Sequence, residues 1–164
     1  MSSIPQLVEK IAGMVPGFRG YSGGSLSADD QLIRKKVSLI LDEARLRVER
    51  LEFNVKRKNV SLGLRLDDLR IELMKASQLL KQPGASSPGK ASIDDESLQR
   101  LLEEDLKLIS TASRIFERVV ALTPALEPKE FLEKVNEAIS LVVEAENVIR
   151  ERDNLLKRVL LETP

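Results

Sequence analysis

Apolar residues recur with the period of an α-helix along most of the chain. Over positions 3–15 they share one face when each residue advances by about 100°; they are Ile4, Leu7, Val8, Ile11, Met14 and Val15. Ser3, with Gln6 three residues later, forms the pattern of a capping box, and Pro16 cannot continue a helix. The pattern therefore predicts a short helix over 3–15.

Three longer stretches show the same period and are predicted to be long helices, over about 27–58, 92–122 and 128–161. A proline at the first position of the last stretch suits the first turn of a helix. Capping patterns open the other two stretches, formed by Ser27 with Asp30 and by Ser92 with Asp95.

The segments between these helices are predicted from their glycine and proline content. Residues 16–27 contain four of the eight glycines and are predicted to be an irregular loop. Residues 59–66 include Gly63 and predict a tight turn, followed by a short helix over 67–81. Residues 82–92 have the composition of a flexible linker. Together these elements predict one all-α domain over 1–164, an elongated up-down bundle of three long helices plus one or two short ones.

The first long helix carries a second apolar stripe, in which Leu32, Leu39, Leu46 and Phe53 recur every seven residues. This stripe lies nearly opposite the main apolar face of the same helix. A helix that is apolar on two opposed faces is either central in a bundle or covered on one side by a partner chain. Because the two short helices would cover the stripe thinly, we predict a homodimer or a partner-bound state, with Leu39 and Leu46 near the contact.

Composition narrows the chemistry that this chain can perform. It contains no Cys and no His, which excludes disulfides, thiolate metal sites, His-ligated zinc and catalytic triads that use His. Carboxylate–Mg²⁺ chemistry remains open. We therefore expect a protein that is not an enzyme and that holds no cofactor or metal.

Targeting features are missing from the sequence as well. The N-terminus has neither the basic nor the apolar region of a signal peptide, and no apolar run approaches the roughly 18–20 residues of a membrane span. We expect a cytoplasmic location.

Three carboxylates occupy positions where the helical stripes call for apolar residues: Asp105, Glu146 and Asp153. A buried carboxylate needs a partner, because the desolvation of an unpaired charge is costly. We expect these acids to be buried and paired with basic residues at the edges of the stripes, such as Arg47 or Arg70. The alternative is a carboxylate metal site, but helical di-iron sites also use His, which is absent here.

The glycine-rich loop places Phe18 and Tyr21, two of the five aromatic residues, on either side of Arg19. Such a segment can fill a groove of a partner or stack on nucleic-acid bases. The alternative is that both rings dock on the end of the chain's own bundle. Both interpretations remain open at the level of the sequence.

Charge is balanced overall but uneven along the chain. Residues 1–90 carry 16 Lys and Arg against 10 Asp and Glu, and residues 91–164 carry the reverse. The leading hypothesis is a non-catalytic helical interaction or scaffold protein that self-associates or docks on a partner helix. The alternative is a nucleic-acid or anionic-surface binder that uses the basic half and the Phe18–Tyr21 loop, although a pI near 6.4 is low for that class.

Two short motifs carry a family resemblance. The segment Pro16–Tyr21 precedes a long charged helix, and the acidic segment Ile93–Leu101 leads to Asp105. In these features the chain resembles an uncharacterised family of small all-helical prokaryotic proteins that open with a Pro-Gly-x-x-Gly-Tyr segment. The chain departs from that family at residues 22–25, Ser-Gly-Gly-Ser, where relatives are strongly charged. The family carries no activity to transfer, but the resemblance implies that the tyrosine loop and Asp105 are important.

Overall fold

The structure, a computed structural model, describes residues 2–82 and 93–161. Within this part of the chain helix accounts for 84% of the residues and there is no strand, which confirms the predicted all-α class. The predicted linker over 82–92 lies, except for Gln82, outside the described residues. The helices are α1 (Ile4–Met14), α2 (Leu26–Lys58), α3 (Val60–Lys81), α4 (Asp95–Val120) and α5 (Pro128–Leu161).

Helix starts agree with the capping prediction in α1 and differ from it in α2 and α4. The Ser3 hydroxyl accepts a hydrogen bond from the backbone of Gln6, whose side chain accepts one from the backbone of Ser3, so the capping box is present. Ser25, not Ser27, is the N-cap of α2, which leaves Asp30 inside the helix. The N-cap of α4 is Asp94, whose side chain accepts from the backbone N–H of Ser97 at 2.7 Å, and the predicted cap residue at 92 lies outside the described residues.

The turn predicted over 59–66 is wrong, because a single residue joins α2 to α3. The backbone N–H of Asn59 donates to Val55 at the end of α2, and its side chain accepts from the N–H of Leu62 at the start of α3. Gly63 lies within α3, where an added Cβ would be only 3.1 Å from the Cα of Lys56. The glycine permits the two helices to approach closely. Because α3 has 22 residues, the bundle has four long helices instead of three.

The four long helices form a closed ring in the order α2, α3, α5, α4, and among the described residues no two backbones approach closely across a diagonal, although buried side chains of α2 and α5 meet there. The N-termini of α2 and α4 meet the C-termini of α3 and α5 at the same end. Direction therefore alternates along the chain, whereas the neighbouring pairs α2–α4 and α3–α5 in the ring run parallel. α3 and α4 are consecutive in the chain but lie on a diagonal, whereas consecutive helices would be neighbours in the predicted up-down bundle. α1 packs against α4 at the edge of the bundle.

Leu, Val, Ile and Ala dominate the core, as the low aromatic content predicts. The buried cluster draws on all five helices and on the loop that precedes α2. Three aromatic rings join it, those of Phe18, Tyr21 and Phe131. The core is therefore continuous along the bundle, and the loop residues Phe18 and Tyr21 extend it at one end.

Candidate functional site

A buried arginine connects three helices at the end of the bundle where α2 begins. Arg152 of α5 is 1% exposed, and its Nε donates to Oδ1 of Asp105 in α4 at 2.5 Å. Its Nη1 lies 2.6 Å from Oδ1 of Asp30 in α2, and both carboxylates are fully buried. Pairing satisfies charges that would otherwise be costly to bury, so the three helices are held in a fixed register.

Tyr21 brings the glycine-rich loop into the same network. Its hydroxyl donates a hydrogen bond to Asp105 and lies 3.2 Å from Nη2 of Arg152. The residue has a φ of 64°, and its backbone N–H donates to Oδ2 of Asp29 at 2.7 Å, which helps to hold this uncommon conformation. The backbone N–H of Arg19 donates to the other oxygen of Asp29 at 3.0 Å. The loop is therefore tied to α2 through its backbone and to α4 through the tyrosine.

Both aromatic rings of the loop are buried. Phe18 packs edge-on against Tyr21, with ring centroids 5.3 Å apart, and each residue is 6% exposed. Gly20 between them has a φ of +72°, and an added Cβ would lie 2.7 Å from a methyl carbon of Val8 in α1. The geometry matches docking on the chain's own bundle. In this conformation Phe18 and Tyr21 are not available to a partner, whereas Arg19 is exposed.

A second buried arginine, Arg34 of α2, extends the network to the end of α3. Its Nε lies 3.2 Å from both carboxylate oxygens of Asp30, and its Nη2 bonds to Asp153 of α5. Its Nη1 donates to the backbone carbonyls of Leu79, Leu80 and Gln82 at 3.2–3.3 Å. The last carbonyls of a helix have no partner within the helix, and Arg34 supplies one for α3.

Burial also changes the ionisation of these groups. It raises the pKa of Asp105, with the Arg152 charge opposing the change, and it raises the pKa of Asp153 against the charge of Arg34. Burial and the neighbouring Asp105 raise the pKa of Tyr21 well above its ordinary value, so the phenol stays protonated. Burial lowers the pKa of Arg152, but the charges of Asp105 and Asp30 raise it well above its ordinary value, so the guanidinium keeps its charge and Tyr21 acts as a neutral hydrogen-bond donor.

Asp105 is fully buried, whereas Asp153, predicted to be buried as well, is 21% exposed because it lies at the edge of the apolar face of α5. Both pair with basic residues, but the partners are not Arg47 or Arg70. Arg47 instead lies over the ring of Phe116, 5.4 Å from its centroid, and Arg70 pairs with Glu52 and Asp67 on the α2–α3 side. The sequence did contain a signal for the true partners. Arg152 is three residues after Ile149 and four before Leu156, which places it on the apolar face of α5, and Arg34 follows Ile33 on the edge of the apolar face of α2.

Glu146 departs from the predicted pairing. It is 4% exposed and forms no salt bridge among the described residues, and one of its carboxylate oxygens lacks a hydrogen-bond partner there. Burial and the adjacent Glu72 of α3 raise its pKa to about 7, while the charges of Lys75 and Arg150 act in the opposite direction. Glu146 is therefore a buried acid at the α3–α5 contact whose pKa is raised by burial and by the neighbouring Glu72.

The heptad-spaced residues of α2 point away from the core. Leu39, Leu46 and Phe53 are 54%, 45% and 65% exposed, and we refer to these three as the α2 stripe. Leu32, predicted to belong with them, is half-buried and packs against the core. α1 packs on α4, so no helix in the described part of the chain covers the α2 stripe.

A second exposed apolar row was missed at the level of the sequence. Val60, Leu64 and Ile71 are 66%, 55% and 47% exposed on the outer side of α3. Their spacing of four and seven residues fits one helical face. The turn predicted over 59–66 separates Val60 and Leu64 from Ile71, and only the continuous helix α3 places all three on one face.

The opposite end of the bundle has an open cavity of about 680 Å³ between the end of α2 and the start of α5. Leu62, Leu126 and Phe131 form apolar parts of its lining, and Arg57 and Lys58 contribute charge. In the described part of the chain, no group of three acidic side chains is placed to hold a metal ion.

Comparisons with protein-family models, with curated proteins and with solved structures find no match to this chain. The resemblance to small helical prokaryotic proteins stays a prediction. None of the described helices has the combination of length and apolar character needed to cross a membrane.

Proposed function

We propose that this protein is a non-catalytic helical interaction protein that associates through the α2 stripe, either with a second copy of itself, as in a homodimer, or with a helix of a partner. The observation that carries the proposal is the exposure of three large apolar side chains, Leu39, Leu46 and Phe53, at seven-residue intervals on one face.

Seven-residue spacing is the repeat with which one helix packs along another. At 1.5 Å per residue, Leu39 and Phe53 are about 21 Å apart along α2, which is long enough for a helical partner to contact all three side chains. Full burial of a Leu or Phe side chain stabilises an association by about 1.5–3 kcal/mol before the cost of association is subtracted. The stripe therefore supplies apolar surface whose burial favours association.

The alternative, binding of nucleic acid or an anionic surface, depended on the Phe18–Tyr21 loop as a stacking element. The burial of both rings leaves that alternative without its main support. The buried network around Arg152 joins parts of the chain to one another, and we assign it a structural role.

Sedimentation velocity at micromolar concentrations tests the proposal. We expect the wild-type chain to associate in a concentration-dependent manner, and the double variant Leu39→Glu with Leu46→Glu to remain a folded monomer. Val120→Glu is the matched control, because Val120 is 43% exposed on α4, outside the α2 stripe. A double variant that associates as strongly as the wild-type chain would contradict the proposal, as would a wild-type chain that is a strict monomer together with a double variant that unfolds.

A further inference from the structure

The α2 stripe is surrounded by an excess of positive charge. Lys35, Arg50 and Arg57 are exposed and form no salt bridge within the described residues. Around the axis of α2, at 100° per residue, these three residues and the α2 stripe all lie within about 60° of arc. Glu43 is the one exposed acid beside them without a salt bridge in the described structure. A partner for this face must therefore supply negative charge as well as apolar surface.

The outward face of α5 has the opposite character. Glu133, Glu144 and Glu151 are exposed, and none of them forms a salt bridge among the described residues. They fall within about 20° of arc on the side of α5 away from the core. The charge of Glu151 contributes to the raised pKa of Glu104 on α4, after the effect of burial, which is a sign of excess negative charge there.

Basic residues near this face are fewer than its acids. Arg158, seven residues after Glu151, is exposed within about 20° of it, so three glutamates lie beside one arginine on this arc. Arg118 pairs with the neighbouring Glu137, and Arg114 lines the same shallow groove as Glu144. Two exposed apolar side chains, Leu132 and Val143, lie toward the α3 side of the same helix. The α5 face is therefore acidic and partly apolar, which complements the basic and apolar face of α2.

α2 and α5 occupy opposite corners of the four-helix ring and meet through the buried side-chain pairs Arg152–Asp30 and Arg34–Asp153 at one end. We propose that the α2 face of one copy docks on the α5 face of a second copy, so that copies associate head to tail. This inference rests on the proposed function, since it names the partner of the α2 stripe. Because the two faces lie on opposite sides of the bundle, each added copy leaves one of each face free, and the contact generates chains instead of a closed pair.

Charge favours this arrangement over a symmetric contact between two α2 faces. A symmetric contact brings Lys35, Arg50 and Arg57 of both copies to one interface. Each copy contributes Glu43 as an exposed acid to balance these three positive charges. Like charges facing one another oppose association, whereas opposite charges favour it and make it sensitive to salt. α2 and α5 are also of nearly equal length, 33 and 34 residues, so one can lie along the other.

A mixing experiment with two folded variants tests the arrangement. The first variant combines Leu39→Glu with Leu46→Glu, which disables the α2 face and keeps the α5 face. The second combines Glu144→Lys with Glu151→Lys, which disables the α5 face and keeps the α2 face. The control is Glu103→Lys with Glu117→Lys, which makes the same change in net charge at exposed positions of α4. Circular dichroism verifies that all variants keep their helix content.

We expect the wild-type mass to rise beyond two chains with concentration, and sodium chloride to weaken the association. Each of the two interface variants alone should be a monomer, with self-association weakened at least about tenfold, and their mixture should form a one-to-one heterodimer. The α4 control should behave as the wild-type chain does.

The outcomes separate this inference from the proposed function. If the Glu144→Lys, Glu151→Lys variant associates as strongly as the wild-type chain, or if the mixture forms no heterodimer, head-to-tail docking is wrong while the role of the α2 stripe stands. If Leu39→Glu with Leu46→Glu leaves association unchanged, the α2 stripe is not the contact and both proposals fail.

Discussion

The hydroxyl of Tyr21 donates a hydrogen bond to the carboxylate of Asp105, a residue 84 positions further along the chain. The same carboxylate accepts from Arg152, so a loop, α4 and α5 meet at one side chain. The two motifs on which the family resemblance rests, the tyrosine loop and Asp105, are thus in direct contact. The contact links the two motifs physically. The Tyr21 hydroxyl donates to the buried carboxylate of Asp105, and that carboxylate is the acceptor for the buried hydroxyl.

Replacement of Asp105 by Asn should destabilise the protein strongly. The substitution removes a negative charge beside the buried guanidinium of Arg152, and breaking a buried pair in this way costs about 3–5 kcal/mol. Tyr21→Phe removes one hydrogen bond and should cost about 1–2 kcal/mol. Urea unfolding followed by circular dichroism measures both. Ser110→Ala, at an exposed position of α4, is the control, and an Asp105→Asn variant as stable as this control would contradict the role of the pair.

Glu146 should make the stability of the protein depend on pH. The pKa of Glu146 is about 7 in the folded protein, above its ordinary value of 4.5. The contribution of this group to the free energy of unfolding is therefore highest below pH 4.5, where the carboxyl group is neutral. It falls as the pH rises through about 7, because the buried group must then carry a charge. Glu146→Gln keeps the shape without the charge. We expect the variant to gain about 1–2 kcal/mol over the wild-type chain at pH 8 and little at pH 5.

Thermal unfolding between pH 5 and pH 8 measures this difference. Glu117→Gln removes a carboxylate from an exposed position of α4 and should leave the wild-type pH profile intact. Equal pH profiles for the Glu146→Gln variant and the wild-type chain would mean that Glu146 ionises in the folded protein as it does in the unfolded chain.

Gly63→Ala should destabilise the α2–α3 hairpin although alanine is the better helix former. An added Cβ would lie 3.1 Å from the Cα of Lys56, so the two helices would have to separate. Gly13, inside α1, has no atom within 4 Å of an added Cβ. Gly13→Ala should therefore stabilise the protein by roughly 0.5–1 kcal/mol. Unfolding by guanidinium compares the two variants, and a stabilising effect of Gly63→Ala would show that the helices are not in close contact there.

Arg34→Lys should loosen the C-terminus of α3 while it conserves charge. A lysine can pair with Asp30 or Asp153 but cannot also donate to the three carbonyls that Arg34 reaches. We expect a loss of about 1–3 kcal/mol and faster amide hydrogen exchange in the last turn of α3. Arg45→Lys is the matched control, since Arg45 makes a half-exposed pair with Glu49 within one helix. Equal exchange in the two variants would contradict the capping role.

The helical class and most helix positions could be predicted from local properties of the sequence. The α1 capping box and the apolar period of α4 and α5 depend on residues close together in the chain, and these predictions agree with the structure. The burial of Asp105 was also predictable, because it interrupts an otherwise apolar stripe. The prediction failed at Asn59–Leu66, where Gly63 suggested a turn although it serves a close contact between two helices.

The partners of the buried acids were decided by tertiary structure. Asp105 lies 47 positions from Arg152, and Asp153 lies 119 positions from Arg34. Periodicity assigns a residue to a face of its own helix, but it does not specify which helix that face meets or at what height. Several arginines border the stripes, and the order of the helices around the ring selects among them.

Exposure of the α2 stripe was likewise a tertiary outcome. The seven-residue spacing of Leu39, Leu46 and Phe53 was visible in the sequence, and so was its position opposite the main apolar face. Whether the stripe was covered depended on where α1 packs, and α1 packs on α4. The local sequence determined that α2 has two apolar faces, because side-chain direction follows from the helix itself. The packing of the other helices decided which face is buried, because burial depends on contacts between distant parts of the chain.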